Sequence, residues 1–381
     1  MKLDNRLIDY INSRCVNSID SFYVYETEKI RQNCRRFQAI PYFNKAIHFA
    51  SMANINLQFL NIVRNEGISI FVNSPNHLRV ALEAGFSGNE IVMTASALSA
   101  ESMQLVKKHG IQVNLDSPNQ LQLWNELFPN QPVGIRCNIG DKVKPYSNHA
   151  GSFIGSESRL GFTPEELAQI NNKSKIAGLH LYVGTDIFDV EYFISCYNQL
   201  IELSGNFPNI DYLNFGGGFG ISEDGKEQFD IDTYGKQVNQ LMQKASELHN
   251  KNLKLILEPG RIIGGEAGHF ICTVTDVKER PTQYLVGVNA STVQFTRPLL
   301  YPELANHPVT ILRHGRIIEA EEKIITTIYG CSTYSRDLFS KKIKLPEIEI
   351  GDTLIFGIAG SYCASSYTSF LGFPKPEEYF I

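Results

Sequence analysis

No apolar run in this sequence approaches the length of a membrane span, and no cluster of lysines and arginines offers a surface to nucleic acid or anionic lipid. Cysteine is sparse and unpatterned: seven residues, Cys15, Cys34, Cys137, Cys196, Cys272, Cys331 and Cys363, with no Cys-x-x-Cys pair. An odd, scattered set argues against a disulfide framework or a zinc site, and for reduced thiols in a cytoplasmic protein. The first six residues carry charge where a signal peptide needs an apolar stretch. Internal repeats and low-complexity segments are absent, and the net charge of −5 comes from 35 basic and 40 acidic residues mixed along the chain. These absences leave neither nucleic acid nor membrane as an expected partner.

What is present is ample core material. The 381 residues are 43% hydrophobic, with 29 glycines and 16 prolines, which suits one large domain followed by a smaller one. Eight short apolar runs, near 46–51, 69–72, 90–94, 112–115, 133–138, 176–182, 212–215 and 254–258, alternate with helix-like segments. Those segments include 55–65, 76–84, 100–109, 118–127, 163–170 and 233–249, and Thr163-Pro164-Glu165-Glu166 has the chemistry of a helix start. Eight repeating β–α units predict a closed (β/α)₈ TIM-like barrel over residues 24–262; the same pattern leaves an open parallel sheet as the alternative. After Arg261, strand-like runs near 270–277, 283–288, 309–312, 323–329 and 353–359 follow one another without a long helix. They predict a C-terminal β-sandwich or barrel domain over 263–381, joined by residues 1–23.

In such a barrel, functional groups follow the strands at their C-terminal ends. After the seventh run comes Asn214-Phe215-Gly216-Gly217-Gly218-Phe219-Gly220. Consecutive glycines let backbone N–H groups converge on an anion without Cβ obstruction, although a tight turn alone also explains them. After the eighth run comes Glu258-Pro259-Gly260-Arg261, where a carboxylate, a glycine and a guanidinium suit a phosphorylated aromatic ligand. A surface turn with an incidental ion pair is the plainer account.

In order along the chain, these segments resemble the fold-type-III PLP (pyridoxal 5'-phosphate) decarboxylases, the ornithine, diaminopimelate and arginine decarboxylase superfamily with its alanine-racemase-like barrel. Ser21-Phe22-Tyr23-Val24-Tyr25 is similar to the strand that leads into that barrel. Asn114-Leu115-Asp116-Ser117 and Gly178-Leu179-His180-Leu181-Tyr182-Val183-Gly184-Thr185 match further family stretches. So do Arg297-Pro298-Leu299-Leu300-Tyr301, Gly351-Asp352, Ala359-Gly360-Ser361-Tyr362 and Phe370-Leu371-Gly372-Phe373-Pro374. The resemblance implies that Gly216, Gly217, Gly218, Gly260, Arg261, Thr185 and Tyr362 hold the phosphate. It gives Glu258 the pyridine nitrogen and Arg297 and Tyr301 the substrate. It also implies a homodimer with shared sites, in which Thr333, Tyr334, Asp337 and Tyr362 face the partner's barrel.

The pattern breaks at one decisive place. Where the family carries its Schiff-base lysine, this chain reads Phe49-Ala50-Ser51-Met52-Ala53-Asn54, with Met52 at the lysine position. A thioether forms no imine, and Lys45 precedes Met52 by seven residues on the other strand face. Other departures accompany it. Phe71 and His77 replace acids, Tyr182 replaces the histidine that stacks on the cofactor, and Thr333 and Tyr334 replace a cysteine and an acid. Cys331 and Cys363 are out of register with that cysteine. A single engineered Lys→Met change explains only Met52, so the set favours a natural, rebuilt site.

The expected ligand is therefore amino-acid-like, with PLP held noncovalently, brought in as a preformed external aldimine, or absent. The expected activity is that of a carboxy-lyase. Two alternatives stand beside it: a catalytically inactive pseudoenzyme or regulatory partner of an active decarboxylase, and a PLP-independent enzyme that uses the cradle for a substrate phosphate. Among the remaining polar residues, His48, His180 and Arg136 read best as core or paired groups. His77 reads as a helix opener, and Asp186 and Asp189 as residues that solvate a loop.

Overall fold

The computed structural model describes residues 3–15, 20–146, 151–223 and 227–381. They fall into two compact units: Arg31–Ile221 with Gln228–Ile263, and Met1–Ile30 with Ser222–Glu227 and Gly264–Ile381. Strand β1 (Phe22–Tyr25) belongs to the latter, and the eight strands of the former follow it. These are β2 (Lys45–Ala50), β3 (Ser69–Val72), β4 (Ile91–Thr94), β5 (Gln112–Leu115), β6 (Val133–Arg136), β7 (Ile176–His180), β8 (Tyr212–Asn214) and β9 (Lys254–Leu257).

They pair in parallel, in sequence order, and β9 closes on β2. The expected closed barrel is what forms, and the open-sheet alternative is excluded. Its strands are short because each apolar run ends where the chain must turn to a helix. Those helices begin at polar side chains that take the free N–H groups of the first turn. Asn56, Ser74, Ser99, Ser117, Thr163, Asp189 and Asp230 serve seven of them. Two long helices, Thr27–Gln38 and Val190–Ser204, lie outside the segments anticipated from sequence. The latter buries Phe193, Cys196, Tyr197 and Leu200.

The second unit is a mixed nine-stranded sheet. Its further strands are β10 (Gly268–Arg280), β11 (Gln283–Val288), β12 (Val309–Arg313), β13 (Arg316–Ile317), β14 (Ile324–Tyr329), β15 (Leu338–Leu345), β16 (Thr353–Phe356) and β17 (Glu377–Phe380). The stretch similar to a strand leading into the barrel is β1, and it pairs antiparallel with β10 and parallel with β17 in this sheet. Leu3, Leu7 and Ile11, on or just before the helix Asn5–Cys15, pack with Phe22, Val24, Ile271 and Ile355. On the other side of the same sheet, Phe270 and Phe295 stack with ring centroids 4.8 Å apart, and both contact Phe339 and Phe356. The barrel followed by a β-sandwich domain is thus the architecture of the chain.

Candidate functional site

The glycine turn after β8 owes its glycines to close backbone approach. A Cβ on Gly217 would lie 2.2 Å from the Glu258 carbonyl oxygen, and one on Gly218 2.3 Å from that of Gly184. Gly216 and Gly218 also have positive φ, 63° and 107°. Phe215 and Phe219 anchor the two sides of the turn. Phe215 stacks on Tyr197 at 4.0 Å, and Phe219 packs against Phe37, Phe193, Phe229 and Tyr234. The Glu258 amide donates to the Gly216 carbonyl at 2.7 Å, tying the turn to the end of β9. The amides of Gly217 and Gly218 find no protein acceptor among the described residues. N–H groups without a protein acceptor can bind an anion.

Glu258 is buried beside that turn. Asn214 Nδ2 donates to its Oε1 at 2.6 Å, while the Asn214 Oδ1 accepts from the Gly216 amide at 2.9 Å. His180 Nε2 lies 3.4 Å from Oε2, too poorly aligned for a formed hydrogen bond, and its Nδ1 has no partner among the described residues. Burial pushes the carboxyl up, but the imidazole of His180 and the amide of Asn214 outweigh it and hold Glu258 below the ordinary carboxylate range. An ionised carboxylate is thus fixed at the barrel end. In the sequence Asn214 only opens the glycine motif, and nothing near it reveals its partner 44 residues away.

Arg261, also buried, forms an ion pair with Asp186. Asp186 therefore does more than solvate its loop, and Asp189 caps the helix Val190–Ser204 through Oδ1 to the Tyr192 amide. Gly260 is buried beside Arg261, and Thr185 is half-buried just before Asp186. Tyr182 meets Phe153 edge-on at 5.0 Å. Arg136 is a paired arginine, 3.8 Å from Asp116, whose carboxylate also accepts from Ser96 Oγ at 2.6 Å and the Gly161 amide at 3.1 Å.

The end of β2 differs in kind. Met52 lies in the turn after the strand, half-buried, with Ser51 Oγ 3.8 Å from its sulfur. Ser51 Oγ is also 3.0 Å from His77 Nδ1, and the His77 amide donates to Ser74 Oγ in the first turn of Pro75–Glu83. His77 thus opens a helix, as expected, and carries a side-chain contact that sequence did not reveal. Partial burial lowers the pKa of His77, and full burial lowers that of His48 to about 4, with His48 Nδ1 3.2 Å from the Ile70 carbonyl. Lys45 sits at the opposite, N-terminal end of β2.

In the β unit, Asp337 is buried and fully engaged. Its carboxylate accepts from the amide and hydroxyl of Thr292 at 2.7 and 2.8 Å and from the amide and hydroxyl of Ser332 at 3.2 and 2.6 Å. That bonding makes it the anchor of the 331–337 loop, which presents Thr333 exposed and Tyr334 half-buried against Phe370. Buried Arg297 pairs with Glu223 at 3.0 Å and lies 5.6 Å from the ring of Tyr301. Tyr362 has φ 57°, a conformation that L side chains adopt rarely, next to Gly360, whose Cβ would lie 1.9 Å from the Gly264 carbonyl. Among the described residues no cluster could hold a metal, and no helix is long and apolar enough to cross a membrane.

Known proteins are similar to this chain along most of its length. The diaminopimelate decarboxylase of Methanothermobacter thermautotrophicus is 29% identical over 378 residues, covering 94% of this chain and 86% of that protein. That of Bacillus subtilis is 26% identical over 381 residues, with coverage of 94% and 86%. The crystal structure of Helicobacter pylori diaminopimelate decarboxylase complexed with L-lysine superposes with a TM-score of 0.87 at 23% identity, over 97% of this chain and 94% of that one. Lysine/ornithine decarboxylase from Vibrio vulnificus complexed with putrescine gives 0.83 at 19%, over 100% and 99%. At these identities the structural likeness speaks for the fold. The family described as "Pyridoxal-dependent decarboxylase, pyridoxal binding domain" matches residues 27–265, and on this match the chain belongs to the pyridoxal-dependent decarboxylases.

Proposed function

We propose that this chain binds PLP noncovalently at the ends of β8 and β9 and works as a carboxy-lyase on an amino-acid-like substrate. The observation that carries the reading is Glu258: a buried carboxylate held ionised beside a glycine turn packed too closely on backbone carbonyls to admit a side chain. Those residues fit a phosphorylated pyridine. Glu258 would hold the ring nitrogen, and the amides of Gly217 and Gly218 with the Arg261 guanidinium would hold the phosphate. Thr185, Gly216 and Gly260 would complete the cradle. When bound, PLP supplies a sink for the electron pair left behind as carbon dioxide departs.

The chain's own residues must then do the rest. Glu258, by staying ionised, keeps a proton on the group it holds. Met52 has no proton to give and forms no covalent link, so Tyr182 becomes the proton-bearing side chain after β7. Arg297 and Tyr301 would take the substrate. We also assign the chain to a two-fold homodimer in which Thr333, Tyr334 and Tyr362 serve the partner's site. Exposed Phe370 packed edge-on against half-buried Tyr334, and the strained Tyr362 backbone, support this. Sedimentation at micromolar concentration should give a dimer; a monomer would count against shared sites.

The cofactor reading is tested by titrating the protein with PLP, then reducing with borohydride and mapping the peptides. Saturable binding with no label at position 52 or on any lysine is expected. Failure to bind at millimolar PLP would leave the cradle to a substrate phosphate or to structure alone.

A further inference from the structure

The anion cradle contains a carboxylate of its own. Asp186 pairs with Arg261, the guanidinium that a ligand phosphate needs, and the backbone around it is fixed from both sides. The Ile187 amide donates to the Gly218 carbonyl at 2.9 Å, and the Gly220 amide donates back to the Ile187 carbonyl at 2.9 Å. A short parallel bridge between Ile187 and Phe219 results. Gly184, on the other side, has its carbonyl 2.3 Å from where a Gly218 Cβ would be. Asp186 itself is held at φ 52°, a left-handed conformation that costs energy for a residue other than glycine, although aspartate and asparagine tolerate it best. The Arg261 side chain is only 7% exposed and that of Asp186 29%, so the pair is a built feature and not a surface encounter.

We propose that Asp186 is a specificity-determining residue that acts as a resident counter-anion. It neutralises Arg261 in the free protein, and a phosphorylated ligand must displace it. The inference rests on the reading of 216–218 and Arg261 as a phosphate cradle. A buried guanidinium without a partner carries a large desolvation cost, so an internal carboxylate stabilises the free state. The same carboxylate, left beside an arriving phosphate dianion, repels it. Phosphate binding is therefore weaker than the cradle alone would give, and the loss attaches to the phosphate and not to the ring. Discrimination between phosphorylated and unphosphorylated ligands is blunted accordingly.

The test uses the full chain with Asp186→Asn and Asp186→Gly, both of which tolerate the left-handed backbone, and Asp186→Gly relieves its strain. PLP, inorganic phosphate and pyridoxal serve as probes, read by titration and by thermal unfolding. Both variants should bind PLP and phosphate about tenfold tighter than the parent chain, with pyridoxal unchanged. They should melt lower without ligand and recover on adding phosphate. Equal or weaker phosphate binding in the variants, while the parent chain binds PLP, overturns the proposal and leaves the cradle standing: Asp186 then merely positions Arg261. An equal gain for pyridoxal also overturns it. If no protein binds PLP or phosphate, the cradle reading itself fails, and this inference with it.

Discussion

Two arcs of the same barrel rim have been treated differently. Around the ends of β8 and β9 the chain places charge: Glu258, Arg261 and Asp186, with backbone amides between them. Around the ends of β2 and β3 no residue of 51–54 or 73–77 carries a permanent charge, and burial keeps His48 and His77 toward their neutral forms. The first arc has the amides and guanidinium that the proposed phosphate site uses. The second holds no amine or carboxylate with which to hold or shuttle a proton at neutral pH. Holding a phosphate and linking a cofactor covalently are separable tasks, because phosphate recognition needs no covalent bond.

The largest expected effect comes from forcing charge onto the neutral arc. His48 titrates near 4 when folded against an ordinary 6.5, so between those values the unfolded chain binds a proton that the folded chain refuses. Stability should therefore fall as pH drops through that window, by up to about 3 kcal/mol, and level off below it. Urea unfolding at successive pH values should show the slope, and His48→Gln should flatten it. Glu258 acts in the same direction but lower down: its depressed pKa contributes stability that disappears only as pH falls below the ordinary carboxylate range.

On the charged arc, Gly217→Ala drives a methyl group into the Glu258 carbonyl and should cost about 1–3 kcal/mol of stability. The displaced turn should also lose PLP in titration. A fully folded, fully binding variant would show that the turn is not the cradle. Glu258→Gln should weaken PLP about tenfold, since one charge-assisted contact is removed. Unchanged affinity would show that the ring does not lie against Glu258. The smallest effect belongs again to the neutral arc. Ser51→Ala removes the contact to His77 Nδ1 and should cost about 1 kcal/mol with PLP binding intact. A large loss of PLP there would erase the distinction between the arcs.

The barrel was legible because each strand is a short apolar run followed by a turn and a helix cap, a pattern local to about 20 residues. Strand β15 escaped because Ser340, Lys341, Lys342 and Lys344 make Leu338–Leu345 look like a solvated segment, whereas they line an edge strand beside β14. Strand β17 is also an edge, short and acidic at its start. Within the site, the glycines, Glu258 and Arg261 announce themselves by spacing. Asp186 does not: its partner lies 75 residues away, and nothing near it in sequence tells an ion pair from a loop carboxylate. Asp337 shows the converse. The motif gave it a place at the site, and only the four bonds from Thr292 and Ser332 reveal an anchor for the loop.

The claim that binding persists without a covalent lysine is tested most directly by mass spectrometry of one PLP-saturated sample, before and after denaturation, with borohydride reduction between. One PLP per chain in the native spectrum, and an unmodified chain after reduction and unfolding, is the predicted result. A chain that keeps the mass of reduced PLP on any lysine, or one that never carries PLP in the native state, would contradict it.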